Sequence, residues 1–411
     1  MSVFKIVPLV TVSSANPSKD ALKRLTFLDM PKNNNCLLIL SESSWLAWMP
    51  KFLKDIQEDI SLATHDFKHN KGVKTFLLNT QTKDIIMWVL KNKFRRVVLL
   101  TNQSGLKRDL IIGSALRKKG VNVMMQSKKT TYIGSDKIKM KYFLQENNFP
   151  TPKFKVVNSI MDAVNFAKRI GYPAILKVAN LSEGRMMSLI QSDSDIETYF
   201  YEQAISKPVI MEEFILGREV STIVYHNFGK PLVFPVVYKP KTDYLIKRQS
   251  IRTRVYVSPH KEIKPLEKII QQMALRLSSA IHNECLLGLD MVISNNTIYI
   301  LEFNSRITET LRMSMILTNV NVLKLMSQGI AIDSNLEPYL KPHGVVIDVP
   351  FAQSTSKQIK DNLMKDKSFI SASDRRVTLH GASLKQLIDK AAFLKSKLTL
   401  SSLHTRVKRS R

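Results

Sequence analysis

Short apolar runs alternate with amphipathic stretches through the first third of the chain. Four of these runs are predicted as strands: Cys36 to Leu40, Thr75 to Leu78, Val97 to Leu100 and Val121 to Met125. The amphipathic stretches between them are helical candidates, and this alternation is typical of a parallel sheet with crossover helices. No G-x-G-x-x-G motif follows any of the strands, so the pattern gives little support to a dinucleotide site in this region.

A second unit is predicted to begin at a proline-rich turn. Pro150 and Pro152 restrict the residues before them to extended conformations, which favours a domain boundary there. Ser159 is the predicted N-cap of an amphipathic helix that ends at Gly171, and the apolar strand Ala174 to Val178 follows. Further elements are predicted as strands at Val209 to Phe214, Val220 to Tyr225 and Gly344 to Val349, and as helices at Leu266 to His282 and Ser383 to Leu398.

Length and composition favour a globular protein with several domains. A chain of 411 residues exceeds the size at which one hydrophobic core stops growing. No apolar run approaches the roughly 18 to 20 residues that cross a bilayer. Cys36 and Cys285 lie far apart without metal-ligand spacing, which suits buried thiols in a reducing compartment. The predicted location is therefore the cytoplasm.

The chain carries a formal net charge of +28. A field of this sign attracts anionic partners such as nucleotides, acidic metabolites, nucleic acid or lipid headgroups. The basic residues are spread along the whole chain, and no aromatic-interleaved nucleic-acid module accompanies them. A solvated basic surface is the favoured interpretation, and an anionic partner is the alternative.

Two runs with period-two alternation, Leu287 to Ser294 and Ile298 to Asn304, predict a β-hairpin. A three-residue loop, Asn295 to Thr297, would place Asp290 opposite Glu302, whereas a two-residue turn would move them to opposite faces. The apolar face of this hairpin is predicted to carry Leu287, Leu289, Met291, Ile293, Tyr299, Leu301 and Phe303.

Charged residues in apolar strands indicate an ionic site. Adjacent carboxylates at Asp290 and Glu302 need a cation, a shared proton or cationic side chains, and with the Asn304 amide they form a hard oxygen donor set that suits magnesium. Arg306, two residues beyond Asn304, could then bind an anionic group. Lys177 lies inside an apolar strand, where its ammonium needs a phosphate or carboxylate partner. The alternatives are a salt-bridged exposed hairpin and a lysine on the solvent side of an edge strand.

Four motifs occur in an order that resembles the ATP-grasp superfamily, especially its biotin carboxylase, carbamoyl phosphate synthetase and amino-acid ligase branches. They are Asp136-Lys137, Gly171-Tyr172-Pro173 before the strand that contains Lys177, the segment Met211 to Glu219, and the hairpin from Asp290 to Asn304. The resemblance runs from about residue 134 to residue 306. One departure is the phosphate loop, Asn180 to Met187, which has a single glycine where the family is glycine-rich.

The resemblance implies a role for each matching residue. Phosphate contacts would come from Lys137 and Lys177, with Ser182 and Arg185 replacing missing loop glycines. The adenine would lie at Glu212, Glu213 and Ile215, and the ribose at Glu219. Magnesium would be bound by Asp290, Glu302 and Asn304, and Arg306 would stabilise the reacting intermediate. For the acceptor carboxylate we expect Arg252 or Arg254 alongside Arg306, and the alternative is that Arg252 and Arg254 alternate outward to solvent.

The implied fold is α/β, with three units. They are an N-terminal flavodoxin-like parallel-sheet domain at 1–131, a two-lobed ATP-grasp domain at 132–335 with a mobile lobe at about 150–212, and a small C-terminal α+β domain at 336–411 with a basic tail. The resemblance is compatible with a homodimer but does not fix the oligomeric state.

The implied activity is an ATP-dependent carboxylate-amine ligase that forms an amide or peptide bond through an acyl phosphate. Amino acids or a short peptide are the leading substrates, and the implied cofactors are ATP and two Mg²⁺ ions, with Mn²⁺ as a substitute. The alternatives are a carboxylase of the biotin carboxylase type and a non-catalytic ATP-binding regulatory protein.

Overall fold

The computed structural model describes residues 36–40, 52, 60–66, 74–179, 186–203, 208–227, 230–242, 256–258, 264–329, 338–350, 369–372 and 376–393. Within these ranges no helix is long and apolar enough to cross a bilayer.

A parallel sheet forms the N-terminal unit. Its strands run in the order β3-β2-β1-β4-β5, and its outer helices are α1 and α2. The bounds are β1 Cys36–Leu40, β2 Ile60–Asp66, β3 Lys74–Leu77, α1 Thr82–Lys91, β4 Arg96–Leu100, α2 Leu106–Lys118 and β5 Asn122–Met124. All residues of β1 and β4 are buried, as expected where both faces of a parallel sheet are covered.

The two faces of β1 belong to different cores. Leu37 and Ile39 pack in a cluster with residues of α1 and α2. Leu38 and Leu40 pack instead against residues from two later helices, α8 (Glu309–Thr318) and α9 (Val322–Gln328). The N-terminal sheet is therefore held to the rest of the protein through its second face. Four predicted strands are confirmed, but β2 was missed because Ser61, Thr64 and His65 interrupt its apolar pattern.

Two short helices connect this unit to the next. They are α3 (Lys128–Gly134) and α4 (Lys137–Glu146). The Asp136 carboxylate caps α4 by accepting hydrogen bonds from the backbone N–H groups of Ile138 and Lys139, at 2.9 and 3.3 Å. This cap places Lys137 at the first turn of the helix.

A four-stranded antiparallel sheet follows, in the order β6-β9-β7-β8. Two helices pack on it, and the predicted Ser159 N-cap is confirmed by its hydroxyl, which accepts from the Asp162 N–H at 3.1 Å. The bounds are β6 Phe154–Val157, α5 Ile160–Ile170, β7 Ala174–Val178, β8 Met187–Ile190, α6 Asp193–Gln203 and β9 Val209–Glu213.

The largest sheet carries the rest of the described chain. Its path is β15-β14-β10-β12-β13-β16-β18-β17, and β11 also pairs with β10. The bounds are β10 Arg218–Asn227, β11 Lys230–Val233, β12 Val237–Lys241, β13 Tyr256–Ser258, α7 Lys264–Ala280, β14 Leu286–Ser294, β15 Thr297–Asn304, β16 Val345–Pro350, β17 Phe369–Ala372 and β18 Arg376–Gly381. Residues 384–393 are helical, within the predicted terminal helix.

A buried ion pair joins α8 to the C-terminal strands. The Arg312 guanidinium lies 2.7 Å from the Asp348 carboxylate, and both side chains are almost fully buried. Thr378 donates a second hydrogen bond to the same carboxylate oxygen, at 2.8 Å. Strands β16 to β18 thus extend the large sheet and are tied to α8 by charge.

Candidate active site

The predicted hairpin exists, and its register places Asp290 directly opposite Glu302. The loop is the two-residue alternative, because Ser294 pairs with Thr297, so the expectation that this pairing requires a three-residue loop is wrong. Both turn residues, Asn295 and Asn296, have positive φ, at 46° and 62°, as a type I′ turn requires.

A β-bulge restores the pairing that the short turn would have displaced. Met291 pairs with Ile300 and Asp290 pairs with Glu302, so Leu301 is the extra residue on β15. Because of the bulge, the predicted set of core-facing residues is wrong for the first half of β15. Ile298 and Ile300 lie in the core cluster, whereas Tyr299 and Leu301 are only partly buried, and Phe303 returns to the core beyond the bulge.

Asp290 lies in a polar network drawn from three strands. The Ser221 hydroxyl on β10 and the Lys239 ammonium on β12 both donate to its Oδ1, and the Asn304 amide donates to Oδ2 at 3.2 Å. Burial opposes ionisation, but Lys239 and Ser221 hold the pKa of Asp290 below its usual value. The sequence did not reveal Ser221 or Lys239, because only the strand pairing brings them to this carboxylate.

Two lysines share one buried carboxylate next to this network. The Glu212 Oε1 atom lies 2.7 Å from Lys177 Nζ and 3.3 Å from Lys141 Nζ. Lys177 therefore has the carboxylate partner that its position in an apolar strand predicted. Although burial opposes ionisation, Lys141 and Lys177 hold the pKa of Glu212 below its usual value. Lys141 gave no recognisable signal in the sequence.

Lys137 connects the lysine cluster to the hairpin. Burial lowers the pKa of Lys137, and the nearby Glu302 carboxylate opposes that shift while Lys177 and Arg306 add to it. The Lys137 backbone N–H donates to the Ala179 carbonyl just beyond β7 at 3.3 Å, and the Phe303 N–H on β15 donates to the Met140 sulfur on α4 at 3.3 Å, so α4, the end of β7 and the end of β15 are neighbours. Arg306 also helps to lower the pKa of Asp290. Among the described residues, Lys137 and Lys177 therefore lie near the hairpin that carries Asp290 and Glu302.

The hinge residues follow β9 and lead into β10. Glu213 accepts from the Lys153 N–H at 3.4 Å, and the carbonyl of Ile215 accepts from the Thr242 hydroxyl at 3.1 Å. Glu219 is buried near the start of β10, opposite Val292. Four predicted residues, Ser182, Arg185, Arg252 and Arg254, lie outside the described residues.

The hairpin's donor set fits a hard divalent cation. Asp290 and Glu302 provide two carboxylates from paired positions, and Asn304, two residues beyond Glu302, provides an amide; in this structure the Lys239 ammonium is the cation that pairs with Asp290. That arrangement suits magnesium, which typically takes one or two carboxylates and completes its shell with water and substrate phosphates. Among the described residues, no group of three or more His, Cys, Asp and Glu side chains could hold a metal ion.

A small cavity lies beside this region, between the parallel sheet and β14. Arg306 and Ser305 line it together with Asp109 at the start of α2. Thr101 donates to the Asp109 carboxylate through its backbone N–H at 3.2 Å and its hydroxyl at 2.5 Å. Burial nevertheless raises the pKa of Asp109 to about 7.

Comparison with known proteins agrees with this geometry. A protein-family model for the ATP-grasp domain matches residues 142–321, a span that contains Glu212, Lys177 and the whole hairpin. Residues 142–321 form an ATP-grasp domain. Lys137 and Lys141 lie on α4, immediately before the matched span of this ATP-grasp domain.

Solved structures share the fold over most of the chain. L-amino acid ligase from Bacillus licheniformis has a TM-score of 0.70 and 15% identity, over 89% of this chain and 98% of that chain. N5-carboxyaminoimidazole ribonucleotide synthetase from Thermus thermophilus has a TM-score of 0.68 and 16% identity, over 88% and 98%. Biotin carboxylase from Campylobacter jejuni, in a complex named as beta-gamma-ATP, has a TM-score of 0.67 and 16% identity, over 87% of this chain and 89% of that chain. At these identities the similarity shows the ATP-grasp fold alone.

Proposed function

We propose that the chain is an ATP-dependent ligase that joins a carboxylate to an amine through an acyl phosphate. The observation that carries this proposal is the convergence of Lys137, Lys177 and the Asp290–Glu302 pair in an ATP-grasp fold. Cations beside paired carboxylates suit a nucleotide triphosphate whose charge is shared with magnesium. Amino acids or a short peptide are the proposed substrates.

The proposed reaction has two steps. The γ-phosphoryl group of ATP passes to a carboxylate oxygen, which gives an acyl phosphate and ADP. An amine then attacks the acyl carbon, the C–O bond to phosphate breaks, and the products are an amide, inorganic phosphate and a proton. This scheme requires no covalent bond to the protein.

The residues of the site favour transfer by holding charge in place. Lys137 and Lys177 would bind the phosphates, and Arg306 would face the acyl group. Asp290, Glu302 and Asn304 would hold magnesium, which when bound offsets negative charge on the phosphoryl oxygens. Lys239 and Ser221 keep the Asp290 carboxylate ionised and fixed in position. Glu213, Ile215 and Glu219 are the proposed contacts to adenine and ribose. Glu212, also expected at the adenine, has its carboxylate paired with Lys177 and Lys141. Ser182, Arg185, Arg252 and Arg254 complete the proposed set.

A carboxylase is the second candidate, since two of the structures that share the fold are named as a carboxyaminoimidazole synthetase and a biotin carboxylase. Phosphate release from ATP separates the two functions. The purified protein would be incubated with ATP and magnesium, either with pairs of amino acids or with bicarbonate and candidate acceptors. Release that depends on an amino-acid pair supports the ligase, and release that depends on bicarbonate supports the carboxylase. Nucleotide binding without turnover in any mixture would contradict both and favour a regulatory role.

A further inference from the structure

The lysine cluster contains more positive charge than its carboxylate needs. Lys137, Lys141 and Lys177 contribute three positive charges and Glu212 and Glu302 two negative ones, and the Lys141 and Lys177 ammonium groups lie 3.3 and 2.7 Å from the same Glu212 oxygen. Burying unbalanced charge is costly, so the second lysine requires an explanation.

The two lysines differ in their access to a ligand. The Lys141 side chain is 1% exposed, whereas that of Lys177 is 12% exposed. Lys141 is also anchored inside the protein, because its ammonium donates to the Thr151 hydroxyl at 2.8 Å, and that hydroxyl donates to the Ile300 carbonyl on β15 at 2.8 Å. Lys177 instead lies two residues before Ala179, whose carbonyl accepts a hydrogen bond from the Lys137 backbone N–H at 3.3 Å, and it is thus close to the proposed phosphate region.

A single lysine could not pair with both Glu212 and a phosphate without weakening its contact to the buried Glu212 carboxylate. If Lys177 alone balanced Glu212, an incoming phosphate would compete for its ammonium and leave a buried carboxylate poorly paired. Removing one partner from a buried pair is strongly unfavourable. With Lys141 in place, Glu212 keeps a counter-ion when Lys177 turns toward phosphate.

We propose that Lys141 is a positioning residue that acts through Glu212, neutralising this carboxylate so that Lys177 is available to a nucleotide phosphate. The inference rests on the proposed function, because it requires a nucleotide phosphate at Lys177. Burial lowers the pKa of Lys141 to about 8, and Glu212 opposes that shift, so Glu212 helps to keep the ammonium charged at neutral pH.

Calorimetric measurement of ATP affinity at fixed magnesium tests this role in four full-length variants. They are Lys141→Met, Glu212→Gln, the double variant Lys141→Met/Glu212→Gln, and Lys139→Met. Lys139 is a matched control on the same helix, since its ammonium lies over the Tyr132 ring at 3.4 Å from the centroid and not in the cluster.

The expected result is a strong dependence of the Lys141 effect on Glu212. Lys141→Met should weaken ATP binding roughly 10- to 100-fold, the range expected for a charged hydrogen-bonded contact. In the Glu212→Gln background the same substitution should change the dissociation constant by less than about threefold, because no carboxylate is left to neutralise. Lys139→Met should bind ATP like the wild-type protein.

Other results would overturn the inference in distinguishable ways. An equal loss of affinity in both backgrounds would mean that Lys141 acts directly or only through general stability. Wild-type affinity in Lys141→Met would show that Lys177 needs no second counter-ion. If Lys141→Met does not fold, a loss of about tenfold or more in the double variant relative to Glu212→Gln would still contradict the inference. Failure of the wild-type protein to bind ATP would overturn the proposed function itself.

Discussion

Asp290 lies directly opposite Glu302 because a bulge at Leu301 compensates for a two-residue turn. Without the bulge, the turn at Asn295 and Asn296 would pair Asp290 with Leu301. Side chains alternate between the two faces of a strand, so a shift of one residue in the pairing moves a side chain to the opposite face. The single inserted residue therefore decides whether the two carboxylates share a face. The proposed metal site therefore depends on an irregularity in the sheet.

Substitution of Glu302 by glutamine should abolish turnover. Glu302→Gln retains the shape of the side chain but removes one of the two proposed anionic metal ligands, and turnover of ATP should fall roughly 100-fold or more. Glu284→Gln is the control. The Glu284 carboxylate lies 3.3 Å from the Arg117 guanidinium in an exposed ion pair, so this variant should retain activity within about twofold. Normal phosphate release by Glu302→Gln would remove this residue from the proposed metal site.

The hairpin turn should be sensitive to β-branched residues. Asn296 has φ of 62°, a conformation that asparagine and glycine tolerate and valine does not. Asn296→Val should lower the free energy of unfolding by about 1–2 kcal/mol, whereas Asn296→Gly should leave it nearly unchanged. Denaturant unfolding of the two variants measures the difference. Equal stability would show that this turn conformation is not maintained.

Asp109 should make stability depend on pH. Its folded-state pKa is raised from 3.8 to about 7, so between these values the folded state holds a proton that the unfolded state has released. Stability must then fall as pH rises through this range, by roughly 1.4 kcal/mol for each unit of the pKa difference. Unfolding of the wild-type protein should therefore become easier, relative to Asp109→Asn, from about pH 4 to pH 7. A constant difference between the two proteins would mean that Asp109 titrates normally.

The pair between Arg312 and Asp348 should behave as a unit. Removing one partner leaves a buried charge, and Asp348→Leu or Arg312→Met should each cost about 3–5 kcal/mol of unfolding free energy. The double variant should cost clearly less than the sum of the two, since neither charge remains. Chemical denaturation of all three variants provides the thermodynamic cycle. Additive costs would mean that the two side chains do not interact energetically.

Much of the architecture could be predicted because it follows local patterns. The continuous apolar runs from Cys36 to Leu40 and from Val97 to Leu100 identify buried parallel strands, and Ser159 identifies a helix start by its hydrogen-bonding chemistry. Strand β2 carries too few apolar residues to be recognised from the sequence. Its polar residues Thr64 and His65 are nevertheless buried, because tertiary packing and not local pattern places them in the interior.

The site was harder to predict where its geometry depends on distant segments. Asp290, Glu302 and Lys177 carry a visible signal, because charges in apolar strands need partners. Lys239 is 51 residues from Asp290, and Lys141 meets Glu212 only through the packing of α4 on the sheets, so no local pattern could identify either one. The bulge was equally hidden, because the Asn295-Asn296 pair is compatible with loops of two or three residues.

Transfer of oxygen from the carboxylate substrate to phosphate tests the proposed chemistry most directly. The protein would be incubated with ATP, magnesium and a pool of amino acids labelled with ¹⁸O in their carboxyl groups, and the released phosphate would be examined by mass spectrometry. An acyl phosphate predicts inorganic phosphate that carries one ¹⁸O atom and that disappears with Glu302→Gln. Released phosphate without the label, while an amide product accumulates, would contradict the acyl-phosphate ligase.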